Sequence, residues 1–194
     1  MKKGFLAAAM VCMLSAAAVM CAHAGEAQTE PAAVETSVQK EFHWDDKMQQ
    51  DFINDGFAGT VYDVDALGMQ MLVPEGLEKR QPTEEEKQKD VKLVFENKEN
   101  DQKIELVVSP IGDCKTLDDV KAFIEKQVPG VVITPTKINE YDTLVYGSEE
   151  TNSMCVLIGA GDAGFLRVIC RPIMDSQMNR LYSYVAASIQ QIKD

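Results

Sequence analysis

Residues 91–127 read VKLVFENKENDQKIELVVSPIGDCKTLDDVKAFIEKQ, and a change of hydrophobic period within them separates sheet from helix. Two strand-like apolar runs, 91–96 and 103–108, flank the polar stretch Asn97-Lys98-Glu99-Asn100-Asp101, which predicts an antiparallel hairpin. At Thr116 the period lengthens. Leu117, Val120, Phe123, Ile124 and Val128 recur at helical spacing and form one stripe. Thr116 and Asp119 hold capping-box positions, each placed to accept a backbone N–H that the first turn leaves unpaired, and Pro129-Gly130 ends the helix. An apolar helical stripe needs cover, and a sheet supplies it.

Toward the C-terminus, strands are expected at 131–137, 143–148, 154–158 and 165–170. The last two flank Gly159-Ala160-Gly161-Asp162-Ala163-Gly164, whose glycines supply the positive φ of a tight hairpin. Asp175 or Ser176 then caps a helix running to the C-terminus, with Met178, Leu181, Tyr182, Val185, Ile189 and Ile192 on one face. On the N-terminal side, 57–63 and 66–73 read as strands. In the second, Leu67, Met69 and Met71 alternate with Gly68, Gln70 and Leu72, and Pro74-Glu75-Gly76 stops it. Residues 79–90 are a charged loop or solvated helical turn, and Asp45 caps a short helix carrying Met48, Phe52 and Ile53 that ends at Asp55-Gly56. The short links between strands require antiparallel pairing. The expectation is an α+β domain over residues 45–194: a single antiparallel sheet covered by helices on one or both faces, an α/β/α sandwich.

Residues 1–24 carry the grammar of a cleavable export signal. Lys2 and Lys3 precede an apolar run from Phe5 to Met20, and Ala22-His23-Ala24 presents small residues to a signal peptidase before Gly25. A membrane anchor needs about 20 apolar residues, and this run is at the short end and closes on a cleavage site. Lipid attachment at Cys21 is the other alternative, opposed by the bulk of Met20. Residues 25–44, polar and rich in Ala, Glu and Thr, are expected to be a flexible linker. The reading is of an exported protein, periplasmic or secreted, not integral to the membrane after signal cleavage.

Composition narrows the partners. Residues 1–24 hold two of the 19 basic residues and none of the 31 acidic ones, so cleavage moves the formal charge from −12 to −14. That excess keeps an exported protein soluble and argues against nucleic acid and anionic lipid as partners. An envelope or extracellular protein is the expected partner. His43 is the sole histidine after the leader. Its solitude removes multi-histidine metal sites, and it removes Ser-His-Asp and Cys-His chemistry unless His43 swings in from the linker. Cys114, Cys155 and Cys170 show no metal-site spacing, and an odd number leaves at least one thiol free.

The strand ending at Pro74-Glu75-Gly76-Leu77, the 91–110 hairpin, the helix opening TLDDVKAFIEKQ, the four-strand run and the terminal amphipathic helix together resemble the Mog1/PsbP-like superfamily, in particular its small exported bacterial members grouped with DcrB. The resemblance spans roughly residues 55–194, and Leu77 stands where that turn often carries tryptophan. It implies a sheet sandwiched by helices in an accessory or binding protein. It carries over no catalytic, cofactor-binding or metal-ligating residue, and none is assigned.

Several positions carry side chains capable of chemistry. Asp63 and Asp65 point to one side of an extended chain and offer two of the oxygens a hard cation needs, but read better as a polar turn. Asp118 and Asp119 complement a helix dipole, and Glu84-Glu85-Glu86 is a solvated charge run. The 159–164 glycines join two strands and so fail as a phosphate cradle. Arg167, mid-strand among apolar residues, is either a ligand-facing charge or an ion-paired or solvent-exposed position; the second is favoured. Phe42 and Trp44 form a contact patch or a staple onto the domain; again the second is favoured. With the 159–164 turn centred between Gly161 and Asp162, Cys155 and Cys170 become same-face diagonal neighbours, too far apart to bond, and Cys114 in its loop the more reactive thiol. The alternative function is a hydrolase of envelope glycans working through two carboxylates.

Overall fold

The computed structural model describes residues 39–192, so the expected leader and most of the expected linker lie outside the described residues. The chain opens with β1 (Lys40–Phe42) and α1 (Asp46–Asn54), whose first turn is capped by Asp45 accepting the Met48 N–H at 2.9 Å. A short antiparallel pair follows, β2 (Gly59–Val64) and β3 (Met69–Pro74), joined through a 3-10 turn over Asp65–Leu67. Next come β4 (Glu78–Arg80), α2 (Glu84–Gln88) and the hairpin of β5 (Val91–Asn97) with β6 (Gln102–Ser109). The helix read from Thr116 is α3 (Leu117–Gln127), with both capping-box bonds made. The remainder is β7 (Ile133–Ile138), β8 (Tyr141–Ser148), β9 (Ser153–Gly159), β10 (Phe165–Arg171), α4 (Ser176–Ala187) and β11 (Gln190–Gln191).

The fold is α+β, with a mixed β-sheet covered by helices, but it departs from one antiparallel sheet in two respects. The large sheet has eight strands in the order β1-β7-β8-β9-β10-β6-β5-β4, while β2, β3 and β11 form a second, three-stranded sheet. And β1 runs parallel to β7, against the antiparallel pairing of the rest. The two faces of the large sheet are covered differently. One carries α4 and the small sheet: Gln102 meets Met178 of α4, and Phe95 meets Tyr62 of β2 edge-to-face at 5.1 Å. Along this face Ile104, Leu106, Val156, Val168 and Tyr182 are fully buried. The other face carries α3 over Ile133, Leu144, Leu157 and Phe165, and α2 beside β5.

Three expectations are corrected. Lys40–Phe42 belongs to the sheet instead of the linker that was expected to reach residue 44. Asn139 explains why. Its N–H donates to Phe42 O at 2.7 Å, its Oδ1 accepts from Trp44 N at 2.9 Å, and its Nδ2 donates to Ala187 O and Ile189 O at 3.0 and 2.6 Å. One side chain thus ties the entering strand to the end of α4. The Trp44 ring seats edge-on against Phe52 at 6.1 Å, the staple preferred from sequence. Second, α4 stops at Ala187 short of the C-terminus. Ser188 Oγ accepts the Leu72 N–H and donates to Val185 O, both at 2.7 Å, and the chain then pairs as β11 with β3. Third, the apolar stripes are only partly covered: Ile53 of α1 is 61% exposed, and Phe123 and Val128 of α3 are 39% and 52% exposed.

Candidate functional site

Strand β10 shows where the large sheet opens. Phe165, Arg167, Ile169 and Arg171 alternate with Leu166, Val168 and Cys170, and the second set is buried under α4 and the small sheet. Of the first set, Phe165 is sealed in the α3 cluster, whereas Arg167, Ile169 and Arg171 are only partly buried. Across this half-open strip, Arg167 lies opposite Val107 of β6 and Leu157 of β9, and Ile169 opposite Glu105 and Cys155.

Charge on the strip is organised as a ladder. Glu96 meets Arg80 at 2.8 Å, Arg80 meets Glu86 at 2.6 Å, Glu86 meets Lys103 at 2.6 Å, Lys103 meets Glu105 at 2.8 Å, and Glu105 is closed off by Arg171. Hydrogen bonds from Arg80 hold both Glu86 and Glu96 well below the usual carboxylate range, and Lys103 adds to the effect at Glu86. Glu105, only 7% exposed, has two cations against it, Lys103 and Arg171. Such pairs offset a desolvation cost that neither partner would bear alone.

Arg167 stands outside the ladder. Its Nη2 donates to Ser109 Oγ at 2.6 Å, and its Nε is buried without a hydrogen-bond partner. Each of the other arginines has a carboxylate: Arg80 has Glu86 and Glu96, Arg171 has Glu105, and Arg180 has Asp55. Among the described residues Arg167 has none within ion-pairing distance. Its charge instead reaches Tyr146 and Cys155, which pair across β8 and β9 and hydrogen-bond each other. Burial pushes the Cys155 thiol up to about 11, partly offset by Tyr146 and by Arg167, and burial also raises the Tyr146 hydroxyl. Burial thus favours the neutral form of both groups.

The favoured reading of Arg167 was an ion-paired or solvent-exposed position. Its ion-paired form is corrected, since the neighbouring acid, Glu105, is already committed to Lys103 and Arg171, while the side chain is partly exposed. Sequence reasoning missed Ser109, Tyr146 and the ladder, because these meet Arg167 or one another only through strand register. The remaining candidates do not converge on the strip. Asp63 sits opposite Gln70 on the small sheet, and Asp65 accepts the Gly68 N–H in its turn. Asp119 caps α3, its carboxyl lowered by the N–H groups of Lys115 and Thr116. Glu84 and Glu85 pair with Lys87 and Lys89 on the surface, while Glu86, expected to be solvated, is a rung of the ladder. The 159–164 connection is a 3-10 turn in which a Cβ on Gly164 would come within 2.7 Å of Ser109 O, so glycine serves close packing there. Among the described residues no group of three or more His, Cys, Asp or Glu could hold a metal ion. The carboxylates of the strip, Glu86, Glu96 and Glu105, are each bonded to cations, so the hydrolase alternative finds no free acid pair there.

The thiols are free, as expected, but the expected geometry is corrected. Cys155 pairs with Ile169 and Cys170 with Met154, so the turn is centred on Asp162 and the two cysteines face opposite sides of the sheet.

Among the described residues no helix is long and apolar enough to cross a membrane. No protein-family model and no curated protein sequence matches the chain. Among solved structures, the chain is similar to the cyanobacterial PsbP (CyanoP) of Synechocystis sp. PCC 6803, at 16% identity and a TM-score of 0.44, over 69% of this chain and 92% of that one.

Proposed function

We propose that this is an exported accessory or binding protein that works through the half-open strip of its large sheet. Export rests on the grammar of residues 1–24. The resemblance in element order to the small exported members of the Mog1/PsbP-like superfamily belongs to the same proposal, and an envelope or extracellular protein remains the partner it implies. The observation that carries the binding face is Arg167. Every other arginine of the chain is matched with a carboxylate, and this one alone is half-buried in a sheet face without one. A charge held in that way costs stability unless something outside the fold answers it.

Site-specific photo-crosslinking in the producing cell tests the face. A photoreactive residue at Ile169, in the strip, should give a discrete adduct. The same residue at Val61, exposed on the small sheet at the opposite face, should give none. Equal labelling at both positions, or none at either, overturns the assignment of the binding face.

A further inference from the structure

We infer that Arg167 is a carboxylate-binding site, and that its ligand is a monoanion with a short apolar body. The inference rests on the binding face proposed above and names its chemistry. Three observations carry it.

The first is charge. The inner rungs of the ladder set three acids, Glu86, Glu96 and Glu105, against three cations, Arg80, Lys103 and Arg171. The exposed Lys98 lies 3.6 Å from Glu96 at the outer end, so the ladder leaves no acid over to balance Arg167. Arg167 therefore stands as a positive charge with no acid of its own, beside rungs already matched among themselves. A monoanion matches it. A phosphate dianion would leave surplus negative charge beside Glu105, in a protein already at −12.

The second is hydrogen bonding. A guanidinium presents five N–H donors in a fixed fork. Arg167 uses one of them, to Ser109 Oγ, and that same bond fixes the plane of the fork. The unused Nη donors have the two-point geometry that a carboxylate accepts. Tyr146 and Cys155, close enough to feel the Arg167 charge, lie on the β8–β9 side of it.

The third is the floor. Val107 is directly opposite Arg167, Ile169 is two residues along the same strand, and the pair packs with Val91 and Val94 in one apolar cluster. Ile169 is partly exposed at the edge of that cluster, so an apolar group attached to the bound carboxylate has a surface to lie on. The acid rung at Glu105, paired with Ile169, closes the strip beyond it against a second carboxylate.

Hexanoate is the probe, with hexanamide as its neutral isostere and inorganic phosphate and sodium chloride at matched ionic strength as controls. The readout is the set of arginine Nε–H signals of the full mature chain, four in number, from which Arg167→Lys removes one and thereby assigns it. Hexanoate should shift the Arg167 signal saturably, while hexanamide and chloride should not. At about ten times its dissociation constant it should raise the melting midpoint by roughly 3–6 °C. Arg167→Met should abolish that rise and, having shed an unpaired charge, should melt no lower than the wild type. A lower melting point for Arg167→Met would make Arg167 a structural residue and overturn the site. A saturable response to phosphate in place of hexanoate would overturn the carboxylate assignment. No response to either, with adduct still forming at Ile169, would sink this inference and leave the binding face standing. Loss of both would take the proposed function with it.

Discussion

At the residue scale the structure depends on small side chains in unusual places, and Asn139 is the clearest. It holds a left-handed backbone, φ 50°, that asparagine tolerates better than most residues. From there its amide joins Trp44, Ala187 and Ile189. Asn139→Ala removes three hydrogen bonds and adds backbone strain, for an expected loss of about 2–4 kcal/mol. Asn139→Gly keeps the backbone and isolates the bonds. Trp44 is the single tryptophan of the chain, so its emission reports directly on the clip. A denaturant midpoint for Asn139→Ala equal to that of the wild type would show that the clip contributes nothing. The thiols make a second residue-scale case. Cys155 and Cys170 are buried and pushed up in pKa by that burial, whereas Cys114 is partly exposed in the loop before α3. Thiolates are the reacting species. A thiol-specific chromogenic reagent should therefore modify one equivalent in the native mature protein, mapping to Cys114, and the other two only on unfolding. Two fast equivalents would contradict the burial of the sheet cysteines.

At the scale of elements, α4 shows how a legible face meets an illegible end. Leu181, Tyr182 and Val185 fall on the stripe read from the sequence, and all three are buried against the large sheet. Leu181→Asp loses the packing of a buried leucine and buries a carboxylate. A loss of at least about 4 kcal/mol is expected, a large share of a domain's total stability. Gln177→Asp lies exposed in the first turn of the same helix, where a negative charge suits the dipole, and should stay within about 0.5 kcal/mol of wild type. Equal melts for the two would mean that the buried face of α4 is misplaced. Gln190, helical by periodicity, is a poor control for this purpose because it pairs with Gln70 in β11. The stripe was readable because about three turns of one helix repeat the same local spacing. The stop at Ser188 was not, because its cause is a hydrogen bond from Leu72, more than a hundred residues away.

For the whole molecule, the ladder from Glu96 to Arg171 couples β4, α2, β5, β6 and β10, and it makes stability depend on pH. Glu86 and Glu96 have folded pKa values below their unfolded value of about 4.3. Their contribution is therefore present above that value and is lost as pH falls through the folded values. Protonation of the many exposed acids acts oppositely, since it relieves the repulsion of a chain at −12. Comparison with Glu86→Gln cancels that shared effect. Between about pH 5 and pH 3 the urea midpoint of the wild type should fall more steeply than that of Glu86→Gln; parallel curves would remove Glu86 from the account. The same whole-molecule view separates what each level of description decided. The order of the main strands and helices, their caps at Asp45, Thr116 and Asp175, and the faces of α3 and α4 were determined by the sequence alone, because period and capping are properties of a few neighbouring residues. The three-residue strands β1 and β4 and the two-residue β11 were not, since segments so short carry no period and pair only where a finished sheet offers an edge. The pairing of Cys155 with Ile169 turned on a single residue in the centring of a turn, and a one-residue slip changes which side chains meet. Arg167 belongs to the same class. That it is charged and mid-strand is written in the chain, but that it has no acid beside it depended on Lys103 and Arg171 having already claimed Glu105, and only the assembled sheet brings those four residues together.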